Sequence, residues 1–494
     1  MKPNWAQLRL WVIPIILAEI AITWDIKSHT FPTYDDGKNL MVADEIANGQ
    51  YANLFHHASP VFFLLYSLLR QAGIGPNTIT FLQSQFHILG IGLCLVYFSR
   101  GLALSDRQLI YAFLGAVLCP IGLFTGCSFS IEAMALALFG CGLMAWLMVD
   151  RWAVGSIPSF LASILAGSFM ALAATTNYKM LIPLVIILGL EVWQGKLATK
   201  RVIPAMLGFA VVGIGLIVLG VAFGRPWYGL PAAVLAVGAR AANPDSAGHS
   251  ALDIAFYPLY FASFDNILML LGLAAGIILA FKGRPSGSQL TSQLTRPPIG
   301  HPVHIVLGFG LACLIIFSLL PRAPRALYTA LPAFSLAFMW ACSQGPRLAK
   351  ILLPPIFMGL SLLQSAFWFY PYGTQALRTA AYYISAHPAA TISPYSPRVY
   401  PYLEADNRAL LRTTLACQPP TIMPNTLLLL DPYAHIVSNC LPTPTNLLPK
   451  FETPDLGYQS PILWLEHAEY RGWSFTEVIQ QRKARKAQNL IQIY

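Results

Sequence analysis

Long apolar stretches broken by short polar ones dominate this chain, and the period of alternation is that of membrane crossings rather than of amphipathic surface helices. Stretches near the ~20 residues that a bilayer requires number about eleven. They lie near 10–23, 79–99, 109–126, 131–149, 157–174, 178–194, 202–223, 264–281, 303–320, 326–343 and 350–370. The run 61–69 is too short to cross and predicts an amphipathic helix lying at the membrane surface, closed by Arg70 and the turn Gly73-Ile74-Gly75-Pro76. The first apolar run is followed by no small-residue cleavage site, so it reads as a retained helix.

After about residue 370 the pattern changes. The tail is polar and Pro-rich, and Thr426-Leu427-Leu428-Leu429-Leu430-Asp431 predicts a buried strand ending in a turn. The expected organisation is a membrane domain over 1–372 and a small mixed α/β domain outside the membrane over 373–494.

Composition agrees with this setting. Of 494 residues, 56% are hydrophobic and 11% charged, against roughly 25% charged in soluble domains. The net charge of +10 is accounted for by membrane topology, and nucleic acid is not an expected partner. With the N-terminus inside and 61–69 lying flat, Arg100, Arg107, Arg151, Lys196, Lys200, Arg201, Lys282, Arg284, Arg296, Arg347 and Lys350 fall on one face. That is the positive-inside bias. The segment around Asp35, the loop 224–263, the link Pro321-Arg322-Ala323-Pro324-Arg325 and the tail then share the other face, which is periplasmic in a bacterial inner membrane.

Charges that defy this economy point to chemistry. Asp35 and Asp36 are adjacent carboxylates at the exit of the first span, a costly place for charge beside lipid. Glu132 stands at the mouth of the fourth expected span, Lys179 follows Thr176-Asn177-Tyr178, and Arg322 and Arg325 precede Tyr328. Cations on the outer face are explained by a bound anion there. Each residue also has a plainer reading: Asp36 and Glu132 as helix caps, Lys179 and the arginines as snorkelling side chains, His56 and His57 as interfacial residues. Glu19 lies inside the first span without an evident partner. Six cysteines (Cys94, Cys119, Cys127, Cys141, Cys313, Cys342) fall in apolar runs as packing residues. Cys417 and Cys440 share the tail and predict a disulfide.

In this order and on this face, the motifs resemble those of the GT-C superfamily of polytopic glycosyltransferases, in its protein mannosyltransferase and aminoarabinose transferase branch. The signature of the first external loop matches at Asp35, Asp36, Val42, Ala43 and Gly49, with Asn39 where an aromatic is usual. Ser59-Pro60-Val61-Phe62-Phe63 is similar to the Pro-containing stretch that leads into a surface helix. Thr176-Asn177-Tyr178-Lys179 and the run from Arg325 through Tyr328 to Pro332 resemble two further junctions. The resemblance covers residues 1 to 345. It departs at Asp36, where Glu is usual, and at His56-His57, which replace a metal-associated Glu.

The resemblance implies an α-helical polytopic membrane enzyme of inverting type that transfers sugar from a polyprenyl-phosphate donor to a glycan, lipid or protein acceptor. Asp35 is the expected base, with Asp36 or Glu132 positioning the acceptor. Lys179, Arg322, Arg325, Tyr328 and His249 are the expected grip on the donor phosphate. A divalent metal stays open as a cofactor, with His56 and His57 as its candidate ligands. The rival reading is a lipid or ion transporter, whose charges would line a path through the membrane instead of converging on one outward cavity.

Overall fold

The computed structural model describes residues 12–23, 33–150, 152–153, 155–194, 199–242, 253–282, 302–320, 322–368, 371–387, 391–394, 397–410, 426–432, 448–466, 471–486 and 489–494. His249, Cys417 and Cys440 lie outside them, so neither the role of His249 nor the disulfide is addressed by the structure.

Among the described residues, six helices are long and apolar enough to cross a membrane, or seven when one bent pair counts as a single span. They include α4 (Pro76–Ser99), α7 (Ile131–Val149), α8 (Ile157–Thr176), α10 (Thr199–Ala222) and α16 (Arg347–Trp368). The sixth is formed by the 3-10 turn Pro324–Ala330 running into α15 (Leu331–Gln344). Shorter apolar helices are α1 (Val12–Thr23), α13 (Leu268–Lys282) and α14 (Pro302–Ser318). With α9 (Leu181–Trp193) and the bent pair, every expected span falls on a helix. The chain is an integral membrane protein, and side chains such as Ile203, Met206, Val211, Ile214 and Val218 of α10 face outward as an apolar surface.

Lipid supplies no hydrophobic drive between helices, so close approach must come from small residues. Gly167 of α8 faces the Ala205 carbonyl of α10, and Gly208 of α10 faces the Ile164 carbonyl of α8. A Cβ at either position would collide with backbone, so these two helices pack main chain to main chain.

The bent pair is α5 (Asp106–Leu118) and α6 (Pro120–Cys127), turned by 62° at Cys119. Pro120 cannot donate to the preceding turn, which ends one helix and starts the next. The freed N-terminus of α6 is satisfied by protein. Asp265 accepts from the Ile121 amide at 3.0 Å, the Tyr260 hydroxyl at 3.0 Å and the Asn266 amide at 2.7 Å.

Between α1 and α4 the chain forms α2 (Tyr34–Ala47) and α3 (Pro60–Gln71), which pack against each other. At 12 residues, α3 is too short to span. It buries Phe62, Phe63 and Tyr66 on one face.

The tail begins with α17 (Gln375–Ala386) and builds a four-stranded sheet from β1 (Thr391–Pro394), β2 (Thr426–Leu430), β3 (Phe451–Pro454) and β4 (Leu490–Ile493). Strand order is β1-β2-β4-β3. β1 runs parallel to β2, while β4 is antiparallel to β2 and β3, with Ile493 opposite both Leu429 and Phe451. β2 is the strand expected from its leucine run, and Leu427 to Leu430 are buried.

Candidate functional site

The first turn of α2 is fixed by a reciprocal cap. Thr33 Oγ accepts from the Asp36 amide at 3.1 Å, and Asp36 Oδ2 accepts from the Thr33 amide at 3.0 Å. This is the capping box that the spacing Thr-x-x-acid allows. Asp36 therefore takes the capping role, and its burial pushes its carboxyl up to about 7, offset only in part by the Thr33 bonds. Asp35 sits beside it and points elsewhere.

The first turn of α7 is positioned from three sides. Asn39 of α2 donates to the Phe129 carbonyl at 3.2 Å. Tyr66 of α3 and Gln83 of α4 form a chain of contacts to the Ser130 carbonyl, and Ser130 Oγ donates to the Thr125 carbonyl at 2.8 Å. This places Glu132 at the buried start of α7, where the helix dipole favours a carboxylate.

These elements meet at Arg325, on the 3-10 turn before α15. Its Nη2 donates to Asp35 Oδ2 at 2.9 Å. Its Nε lies 3.8 Å from Glu132 Oε1 and 3.1 Å from Glu466 Oε2, and its backbone amide donates to Glu466 Oε1 at 2.6 Å. Asp35, Glu132 and Arg325 are separated by up to 290 positions in sequence, yet converge. Charge-assisted bonds of this kind fix geometry as well as charge.

The remaining expected residues are placed differently. Lys179 is on the 3-10 turn Tyr178–Met180, its amide capped by Asn177 Oδ1 at 3.0 Å, and that turn packs against α7. Arg322 lies 3.8 Å from Asp253 Oδ2, which also accepts from the Phe475 amide of the tail at 3.1 Å. Tyr328 is fully buried inside the bundle. His87 Nε2 is 3.1 Å from the Val117 carbonyl, so that nitrogen carries the proton. Nδ1 then accepts from the Tyr328 hydroxyl at 2.6 Å.

His56 and His57 are in a 3-10 turn before α3, their rings 4.0 Å apart and inclined by 53°. His57 and Ala58 have φ of 50° and 53°, a costly left-handed pair for residues with a Cβ. Among the described residues, no group of three or more His, Cys, Asp or Glu side chains is arranged to hold a metal ion.

Two partners were missed by sequence reasoning. Glu466 ends the helix Pro461–Glu466 in the tail, and the only signal was a lone acid closing the apolar run Ile462-Leu463-Trp464-Leu465. Glu19 pairs with Gln85 of α4, whose Nε2 donates to Glu19 Oε2 at 3.0 Å. A neutral amide partner leaves no charge pattern to read.

Crystal structures similar to the chain include two of one protein. ArnT from Cupriavidus metallidurans bound to undecaprenyl phosphate matches with a TM-score of 0.56 at 12% identity, over 88% of this chain and 94% of that one. The apo state of the same protein matches with a TM-score of 0.54 at 12% identity, over 86% and 94%. No protein-family model and no curated protein sequence matches. The chain shares the fold of ArnT, so the architecture expected from the motifs holds.

Proposed function

We propose that this chain is a membrane glycosyltransferase of inverting type, which moves a sugar from a polyprenyl-phosphate donor to an acceptor hydroxyl at the outer face of the membrane. The observation that carries the reading is the fold shared over 88% of the chain with ArnT, solved with undecaprenyl phosphate. The convergence of Asp35 and Glu132 on Arg325 supports it with a base and a second carboxylate at one end of the bundle.

In this reading Asp35 takes the proton of the acceptor hydroxyl as its oxygen attacks the anomeric carbon. The bond from that carbon to the phosphate oxygen breaks on the opposite side, and polyprenyl phosphate leaves with the electron pair. Arg325 aims the Asp35 carboxylate, and Glu132 orients the acceptor. Lys179, on the neighbouring turn, is the cation that meets the developing phosphate charge. Arg322 faces Asp253, and Tyr328 gives its hydroxyl to His87, so we assign both to holding the site in place. Residues 1–372 form the catalytic membrane domain and 373–494 an extracytoplasmic one, in a bacterial plasma membrane. Acceptors are glycans, lipids or proteins.

Transporters typically build their substrate site from broken helices near the midplane of the membrane. The one bent pair identified among the described helices has its new N-terminus closed by Asp265. The test is incubation of purified protein with a radiolabelled polyprenyl-phosphate sugar and hydroxyl acceptors. Labelled product and free polyprenyl phosphate are expected. An intact donor with every acceptor, together with lipid movement between leaflets of a proteoliposome, would favour the transporter.

A further inference from the structure

The residues given a part in this chemistry all precede 372, yet Arg325 is held from the tail. Glu466 is fully buried. One of its oxygens takes the Arg325 backbone amide at 2.6 Å, and the other lies 3.1 Å from Arg325 Nε. A single carboxylate therefore holds main chain and side chain of the same arginine. That leaves Nη2 directed at Asp35.

Two other contacts bring the tail onto α2, the helix that carries Asp35. Gly37 packs so closely on the Pro397 carbonyl that a Cβ there would collide with backbone. At the far end of α2, Asp44 Oδ2 accepts from the Tyr400 hydroxyl at 2.9 Å and lies 3.8 Å from Arg408 Nη1. Behind this surface Arg398 is fully buried, with Nη1 donating to Asp431 and Asp455 at 2.9 Å each. Burying charge is expensive unless its geometry is fixed. The tail contacting α2 is thus pinned on its own inner side.

We infer that the tail clamps the active site, and that Glu466 is a positioning residue that sets Arg325 and, through it, Asp35. This rests on the role given to Asp35 above. Glu466→Gln is the informative variant, because it keeps shape but can turn an amide donor toward the guanidinium, where two donors cannot bond. Glu466→Ala leaves a buried arginine without this carboxylate and serves only as a fallback, since it threatens folding.

Two readouts are taken on the full-length protein. Turnover of Glu466→Gln should fall by about tenfold to a hundredfold, the scale of a misplacement near one ångström, with KM for the polyprenyl-phosphate sugar unchanged. Amide exchange should rise in segments 33–40 and 322–331 and stay at the wild-type level in α4. Glu404→Gln, an exposed acid of the tail, should change neither. Wild-type exchange in both segments would overturn the clamp, whatever happens to turnover. Faster exchange in a protein whose wild type transfers no sugar would uphold the clamp and defeat the functional reading instead.

Discussion

Charge gathers at both ends of α7, and the two gatherings are built differently. At its C-terminal end, Glu191 of α9 accepts from the Tyr97 hydroxyl at 2.7 Å and from Arg100 Nη2 at 2.6 Å, while Arg100 stacks over the Tyr97 ring. Asp150, which caps α7, pairs with Arg201 of α10 at 2.5 Å and lies 3.8 Å from Arg100. Four helices are tied there pair by pair. At the N-terminal end, carboxylates from α2, α7 and the tail converge on one guanidinium, Arg325. Pairing acid with base links elements and is finished once the bond is made. Convergence of several acids on one arginine instead builds an oriented carboxylate, which is what general-base chemistry needs.

The largest expected effects lie at Arg325 and Glu191, one from each end of α7. Arg325→Ala should cost about 3–5 kcal/mol of stability, as expected when a buried ion pair loses one partner, and should abolish transfer. Glu191→Ala should cost a similar amount, yet its turnover per folded molecule should stay at the wild-type level. Urea unfolding with turnover normalised to folded protein checks both. Equal loss of turnover in the two variants would erase the distinction.

A smaller effect sharpens the donor side. Lys179→Ala should weaken binding of polyprenyl phosphate by about tenfold or more, the scale of a lost charged hydrogen bond, and leave acceptor binding unchanged. Isothermal titration with a short-chain polyprenyl phosphate measures this. Unchanged affinity would return Lys179 to the snorkelling role.

The smallest effect lies next to the site. Burial raises the Asp36 carboxyl from 3.8 to about 7, so the folded state holds this proton more tightly than the unfolded chain. The contribution is present in full below 3.8 and is lost as pH rises through about 7. The melting temperature should fall across that window, and Asp36→Asn, which can still accept from Thr33, should flatten the fall. A slope identical in both proteins would remove Asp36 from the account.

How much of this could be read from residues alone follows from what each feature depends on. The spans were legible because lipid demands long apolar runs whatever their packing. The bend at Cys119 was not, since 109–126 is one apolar run and only Pro120 marks the break. Asp35, Glu132 and Arg325 stood out because each is expensive where it lies. Glu466 did not, because an acid in a polar tail costs nothing until the fold buries it against a residue 141 positions away. Tyr328 followed from the motif around Arg325, but a run of sequence does not say which side of a turn a ring takes. It faces inward to His87.

In the proposed mechanism Asp35, at the convergent end of α7, is the base. Turnover of purified Asp35→Asn with a polyprenyl-phosphate sugar and a hydroxyl acceptor tests it most directly. A fall of about a hundredfold to ten-thousandfold, the usual contribution of a general base, is expected, with folding and donor binding retained. Turnover equal to wild type would contradict it.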